Sequence, residues 1–440
     1  MINKLNYSYE IIGGTSKNRP LIVEYFGKMI DSDTRVLIIG SQHGDEKYAR
    51  KSLKYLVSYL CKLNNNLTTR LDDSCIAILS DANPDGSIIN SRLNAMGIDL
   101  NRDHQHLSSI ENNDIHSFIT KWNPDYLIDV HNYPAKRKYL PKSISLNYDV
   151  FVDIPNNPTI YKLISRKKTE KFLEDIKTHV TKSGFHCDRY FVFSSSGKVR
   201  HSTHDITNAL NFMALRHQIP TFLVEGRQPN RRDDVLTRKN LVLALFTTIF
   251  FILQYLIFKK NRKYFHKQQI PQRGDPFYIR YKYKNSSNPL KVRVFDLDLN
   301  KEKQIFLTNY AHSLISTKKI LLPFGYAIPK NKHILLDFLN RHGFLSIPEK
   351  TTQLYYEIEY FNIDEIIFSK KINRTHLKID FTIKKDTKKL DNYVIFPVNQ
   401  LGGLLLSLFF ELDSKYHLSR YSDLDLCVMQ NTVYPILRVV

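Results

Sequence analysis

Cysteine is scarce and scattered: Cys61, Cys75, Cys187 and Cys427 share no C-x-x-C spacing. That excludes a disulfide framework and a cysteine-based metal site, and leaves buried thiols as the expected role. Acidic residues are also few, 43 Asp and Glu against 64 Lys and Arg, for a net charge of +21. Such a chain could seek nucleic acid, anionic lipid or an anionic cell-wall polymer. Yet the lysines are spread throughout among Asn and Ile. No zinc finger, basic zipper or aromatic-studded RNA-binding signature accompanies them, so no nucleic-acid partner is expected. The charge reads instead as a compositional bias that produces a solvated basic surface.

An apolar signal region is missing from Met1 to Glu10, so no secretory signal peptide is expected and the cytoplasm is the default location. No internal repeat or compositionally disordered segment is visible. Only Leu241 to Phe258 forms a long uncharged run, just long enough to span a bilayer. Thr247, Thr248 and Gln254 interrupt it. Basic residues flank both ends, Arg227, Arg231, Arg232, Arg238 and Lys239 before and Lys259, Lys260, Arg262 and Lys263 after, so charge assigns no orientation. A buried or surface-docked core helix is the expectation, with a membrane anchor as the alternative.

What is present reads as an α/β chain of 440 residues, long enough for two domains. Strand-like apolar runs at Val36 to Ile39, Ile76 to Leu79, Leu127 to Val130 and Phe222 to Val224 alternate with helical stretches. The latter are Lys47 to Lys62, Asn113 to Lys121, Lys162 to Lys182 and Asn208 to His217. This alternation predicts a mixed central sheet with flanking helices. From about Asp275 the pattern changes to period two, as in Tyr278 to Tyr283 and Lys291 to Leu299, which predicts a smaller β-rich C-terminal domain. The expected division is 1–260 and 273–440, joined by a charged linker over Lys259 to Gln272 that closes around Pro271.

Chemistry concentrates at strand ends. His43 and Glu46 lie in Gly40-Ser41-Gln42-His43-Gly44-Asp45-Glu46, directly after Val36 to Ile39. Alone, a His-x-x-Glu pair is a common chance pattern. Two further polar residues occupy the same kind of place: Leu127-Ile128-Asp129-Val130 leads into His131, and Thr221-Phe222-Leu223-Val224 into Glu225. Ligands of open α/β sheets collect outside the carboxyl ends of the strands, so these sites can converge. Two His and one Glu would hold one Zn²⁺ and leave a fourth position for water. Glu225 is then the candidate general base, a salt bridge to Arg227 or Arg231 being the plainer alternative.

Between these sites stand Asn83-Pro84-Asp85-Gly86, Asn90-Ser91-Arg92-Leu93-Asn94 and Gly97-Ile98-Asp99-Leu100-Asn101-Arg102-Asp103. In this order they resemble the substrate-clamping segment of the carboxypeptidase A-like zinc carboxypeptidases. The resemblance implies one Zn²⁺ per chain on His43, Glu46 and His131, with Glu225 as base. It implies that Arg92 polarises the scissile carbonyl and that Asn101 and Arg102 hold a substrate's terminal carboxylate, roles that suit a planar, permanently charged guanidinium. Gly325 to Pro329, Leu336 to Gly343, Tyr355 to Glu357, Val394 to Gln400 and Tyr434 to Val439 resemble the accessory region of a bacterial branch of that family. Two positions depart from the pattern: Glu411-Leu412-Asp413-Ser414 stands where Glu-Pro-Glu-Ser is usual, and Asn132 follows His131 where an acid is common.

The expected function is therefore a zinc metallocarboxypeptidase acting on a peptide or peptide-like substrate with a free carboxylate. The alternatives are an N-acyl amino acid deacylase of the succinylglutamate desuccinylase or aspartoacylase type, a murein peptide amidase, or a binding module that has kept the fold. His201 and His204 are spaced like ligands but read as pocket or surface residues. Asp205 reads as a helix N-cap or the wall of a specificity pocket. Tyr133, Tyr139, Tyr148, Tyr161 and Tyr190 all compete for the role of the tyrosine that closes over substrate.

Overall fold

The apolar runs become strands because their side chains are covered on both faces, as expected for the interior of a mostly parallel sheet. A computed structural model describes residues 7–62, 73–194, 196–201, 205–229, 235–258, 265, 271–348, 355–371, 374–426 and 428–440. His204, Arg231, Arg232, Cys427, Lys259, Lys260, Arg262, Lys263 and most of the expected linker lie outside them.

The chain divides into two units, 1–214, 219–267 and 283–314 in the first and 215–218, 268–282 and 315–440 in the second. Eleven strands precede the long apolar helix of the first unit. They are β1 (Tyr7–Gly14), β2 (Pro20–Gly27), β3 (Thr34–Gly40), β4 (Ser74–Leu79), β5 (Tyr126–Pro134), β6 (Ile144–Leu146), β7 (Val150–Asp153), β8 (Cys187–Arg189), β9 (Phe191–Phe193), β10 (Val199–His201) and β11 (Thr221–Gln228). Eight of these form one sheet in the order β1-β2-β4-β3-β5-β11-β7-β8. β4, β3, β5 and β11 run parallel at its centre, while β2 joins β4, and β7 joins β11, antiparallel.

The chain leaves β3 for β4 on one side and later enters β5 on the other, so the order reverses between β3 and β5. The crevice at such a reversal is where α/β sheets place ligands. His43 and Glu46 follow β3 here. β5 and β11 run on to Pro134 and Gln228, so His131 and Glu225 sit inside their strands, not past them, and are paired across the ladder.

The helix Lys47–Lys62 starts where expected, and Ile110–Trp122, Arg166–Lys182 and Ala209–Arg216 match the other helical stretches within a few residues. Asn208 caps the last of these, accepting from the Asn211 N–H at 3.0 Å, so Asp205 does not fill the cap position expected of it. The apolar run is the helix Val235–Phe258, whose segment Thr237–Ile257 is long and apolar enough to cross a membrane. Half of that segment is buried, with Leu241, Leu245, Ile249, Ile252 and Leu256 covered. It packs against Lys47–Lys62, Arg166–Lys182 and β11. Phe265 inserts beside Tyr126, Phe172 and Phe222.

The boundary at 273 differs from the contact pattern. Residues 283–314, expected in the C-terminal domain, group with the first unit. The reason is pairing: Leu290–Asp296 joins β6 antiparallel, and Tyr310 and Ala311 pair with β10. The second unit has its own sheet, in which Gly325–Pro329 lies between Tyr393–Pro397 and Leu437–Val439. It also holds the long hairpin Tyr356–Lys371 and Arg374–Lys388 and the helices His333–Arg341 and Leu404–Phe410.

Candidate metal centre

The loop after β3 is shaped before any ligand is considered. Ser41 adopts a positive φ of 59°, which turns the chain out of the strand. Gly44 abuts Gly86 so closely that a Cβ would lie 2.0 Å from the Gly86 carbonyl carbon. Asn83 caps the helix Pro84–Ile89 by accepting from the Gly86 N–H at 2.9 Å and donates to the Gln42 carbonyl at 3.2 Å. Asp85 pairs with Arg19 at 2.5 Å. The Asn-Pro-Asp-Gly stretch therefore braces the His-x-x-Glu loop.

His43, Glu46 and His131 converge, each buried, with ligand atoms within 4.8 Å of one another. Nδ1 of His43 lies 2.6 Å from Glu46 Oε1, and Nδ1 of His131 lies 2.9 Å from Glu46 Oε2. The far nitrogens are held by carboxylates, His43 Nε2 by Asp99 Oδ1 at 3.2 Å and His131 Nε2 by Asp129 Oδ1 at 2.9 Å. A carboxylate on one imidazole nitrogen leaves the other as the free lone pair, the arrangement that orients histidine ligands. Gln42 donates to Asp129 at 2.7 Å and meets His104 at 2.7 Å, and His104 in turn contacts His116 at 3.0 Å, so a connected polar layer lies beneath, in which Asp129 Oδ2 alone of these atoms has no hydrogen-bond partner among the described residues.

The electrostatics describe a site short of positive charge. Burial raises the Glu46 carboxyl, but the two imidazoles outweigh it and bring the pKa down to about 2. Burial lowers both imidazoles, yet Glu46 and Asp99 hold His43 above its ordinary value, and Asp129 and Glu46 hold His131 well above. Cations are thus favoured at the point where the three side chains meet. Two imidazole nitrogens and a carboxylate, oriented from behind, fit a zinc ion by donor chemistry.

Glu225 is 9% exposed and forms no hydrogen bond or ion pair with any described residue, so the expected alternative of a pair with Arg227 is not realised. Burial, opposed by His131 and reinforced by Glu46, pushes its carboxyl up to about 7. Asn132 supplies a helix cap from a distance: its Oδ1 accepts from the N–H groups of Tyr48 and Ala49 at 3.1 and 2.8 Å. The unusual amide at this position therefore starts the helix behind Glu46.

The three expected substrate residues divide. Arg92 is exposed and held by Asp99, at 3.0 Å from Nε and 2.9 Å from Nη2, leaving Nη1 for other contacts. Arg102 is exposed, with Nη1 donating to the Asn101 carbonyl at 2.6 Å. The Asn101 side chain is already engaged: Oδ1 accepts from the Ala209 N–H at 2.9 Å and Nδ2 lies 3.2 Å from His131 Nε2. It lies against His131, whose Nε2 is taken by Asp129, while Arg102, like Arg92, is exposed.

Sequence reasoning missed Asp99 and Asp129. A carboxylate in the middle of the buried run Leu127 to Val130 was the available signal for Asp129. Among the tyrosines, Tyr133 donates to the Tyr148 carbonyl at 2.5 Å, Tyr161 to the Pro155 carbonyl at 3.3 Å, and Tyr148 accepts from the Arg293 N–H at 3.0 Å. Tyr190 is the one that feels Glu225; burial, then that carboxylate, raise its phenol to about 12. His201 contacts Tyr310 and lies 3.3 Å from the Tyr190 carbonyl, and is not one of the three converging ligands.

Residues 5–138 match the zinc carboxypeptidase family. The chain is 28% identical over 212 residues to carboxypeptidase 2 of Trichophyton rubrum, covering 47% of this chain and 39% of that protein. It is 34% identical over 122 residues to carboxypeptidase E of Caenorhabditis elegans, covering 23% and 26%. The chain thus spans well under half the length of these relatives. A metallo-carboxypeptidase from Pseudomonas aeruginosa superposes with a TM-score of 0.45 at 18% identity, over 58% of this chain and 66% of that one. A murein-tripeptide amidase from Escherichia coli O157 does so at 0.34 and 16%, over 55% and 91%.

Proposed function

We propose, for a chain whose residues 5–138 match the zinc carboxypeptidase family, that it is a metallocarboxypeptidase hydrolysing an amide bond beside a free carboxylate. The observation that carries the reading is the pairing of His131 with Glu225 across β5 and β11, which sets a carboxylate with no hydrogen bond next to the convergent His43, Glu46 and His131. One zinc per chain on those three residues would supply Lewis acidity toward the carbonyl and acidify water.

Glu225 takes a proton from the attacking water as the new C–O bond forms, and returns it to the amine nitrogen as the C–N bond breaks. Its buried position keeps the proton affinity high enough to hold that proton between the two steps. Arg92 donates to the carbonyl oxygen as negative charge develops there, its orientation fixed by Asp99. Arg102 presents a planar fork to the substrate's terminal carboxylate. Asn101, accepting from the Ala209 N–H through Oδ1, lies against the imidazole, which Asp129 orients.

The test is a set of peptides offered in pairs, as free acid and as C-terminal amide, to the zinc-loaded protein. Amidation removes a charge-assisted contact of about 1.5–3 kcal/mol, so hydrolysis should fall by more than about tenfold. Equal rates on both forms would overturn the carboxypeptidase reading and leave an endopeptidase or a different amidase.

A further inference from the structure

Arg137 lies in the loop that follows β5, six residues beyond His131 in the chain. Two neighbours anchor that loop to the core. Ala135 and Leu140 are buried, and the Leu146 and Leu140 N–H groups donate to the Ala135 and Arg137 carbonyls at 2.9 and 3.0 Å. The guanidinium lies over two rings, 5.4 Å from the Tyr133 centroid and 5.9 Å from that of Tyr190. Stacking of this kind fixes the plane of the group and shields its faces from water.

What Arg137 lacks is an anion. It forms no ion pair among the described residues; the Tyr190 hydroxyl is its polar neighbour, yet its Nε and Nη2 are buried with no hydrogen-bond acceptor. Charged donors left in that state are costly, which makes them the exception in a folded protein. Nε and Nη2 together form the side edge of the guanidinium, where two parallel N–H bonds can reach the two oxygens of one carboxylate. Tyr133, one of the rings that Arg137 covers, stands two residues beyond His131 on β5, and His131 is paired with Glu225 across the ladder, so Arg137 lies close to that carboxylate without a hydrogen bond or ion pair to it. The unfilled edge therefore stands beside the reacting centre.

We propose that Arg137 forms an anion subsite beside the catalytic centre, so that preferred substrates carry a second carboxylate, on a residue flanking the scissile bond, in addition to the terminal one. This deepens the carboxypeptidase reading and rests on it for the word substrate. The subsite is separate from Arg92, which Asp99 already neutralises, and from Arg102, which faces solvent. It explains why a cation lies over two aromatic rings where no acidic side chain among the described residues pairs with it.

The experiment measures binding, so it does not depend on turnover. Zinc-loaded Glu225→Gln protein is titrated by calorimetry with free-acid peptides that differ only as Glu or Gln, placed either at the C-terminal residue or at the one before it. At one of these positions the Glu peptide should bind at least about tenfold more tightly. Adding Arg137→Met should bring the ratio close to one. Adding Arg137→Lys, which keeps the charge without the fork, should leave an intermediate ratio, and it guards against a fold defect in the first variant. Equal affinities for both pairs, or a preference that survives Arg137→Met, overturns the proposal. Hydrolysis by the unaltered protein is scored separately: binding preference without cleavage would sink the carboxypeptidase reading and leave the subsite standing.

Discussion

Each of the two units buries a cluster of opposite charges, and the clusters end differently. In the second unit Arg438, 7% exposed, pairs with Glu359 and reaches Glu411 at 3.1 Å, while the Tyr326 hydroxyl donates to Glu411 at 2.6 Å. Glu359, Glu411 and Arg438 help line a cleft of about 1280 Å³. Lys318 and Asp413 on its wall pair at 2.6 Å. A permanent guanidinium closes the cluster, so it serves packing. In the first unit the positive partners are imidazoles, which lose their charge when a cation arrives, and Glu225 is left without a hydrogen bond. The buried acids of that cleft thus share a permanent cation, whereas Glu225 in the first unit has none bonded to it among the described residues. The kind of cation, permanent or able to lose its proton, is what separates the two clusters.

The sharpest way to break that contrast is to remove the carboxylate that lacks a partner. Glu225→Gln should keep its zinc and lose about 10²- to 10⁴-fold in kcat, the usual worth of a positioned base. Metal analysis beside turnover of a free-acid peptide checks both halves. Because the base works ionised, kcat/KM should rise with pH through the Glu225 titration and then level off. Burial places that titration near 7, and a bound cation would move it lower. The acid limb should be absent from the residual activity of the variant. Near-normal turnover would remove the distinction between the two clusters.

Arg438→Met tests the other side. It strands Glu411 and Glu359 without their cation, and breaking a buried pair from one side costs about 3–5 kcal/mol. Denaturant unfolding should register the loss, and adding Glu411→Gln should recover part of it. Zinc stoichiometry should not change under conditions where the variant is folded. A variant as stable as the parent would mean that the cluster is solvated and not closed.

A smaller effect is expected where the two kinds of cluster overlap, at Asp99, which holds both a ligand imidazole and a guanidinium. Asp99→Asn should weaken zinc binding about 10- to 100-fold by loosening His43. Competition with a chromophoric chelator measures it. Unchanged affinity would assign Asp99 to Arg92 alone.

How much of this was legible in the sequence follows from where each signal resides. His43, Glu46, His131 and Glu225 were found because each stands at the C-terminal end of an apolar strand core, and strand ends meet at the reversal between β3 and β5. The family resemblance led to Arg92, Asn101 and Arg102, but not to the engagement of Asn101, which depends on a helix start far along the chain at Ala209. Asp99 and Asp129 were passed over because the imidazole nitrogen that each holds can be chosen only in three dimensions. The C-terminal boundary shifted for a similar reason: period-two patterning marks Leu290–Asp296 as a strand but does not name its partner, and β6 takes it. Arg137 carried no sequence signal, since an unsatisfied donor is defined by what surrounds it.

The central claim is that the buried His43, Glu46 and His131 cluster is a metal centre, and metal analysis after zinc loading tests it most directly. The parent protein should hold one zinc per chain after dialysis, and Glu46→Ala, which removes the carboxylate bridging both imidazoles, should hold almost none. No tightly held zinc in the folded parent, or full occupancy in the variant, would contradict it.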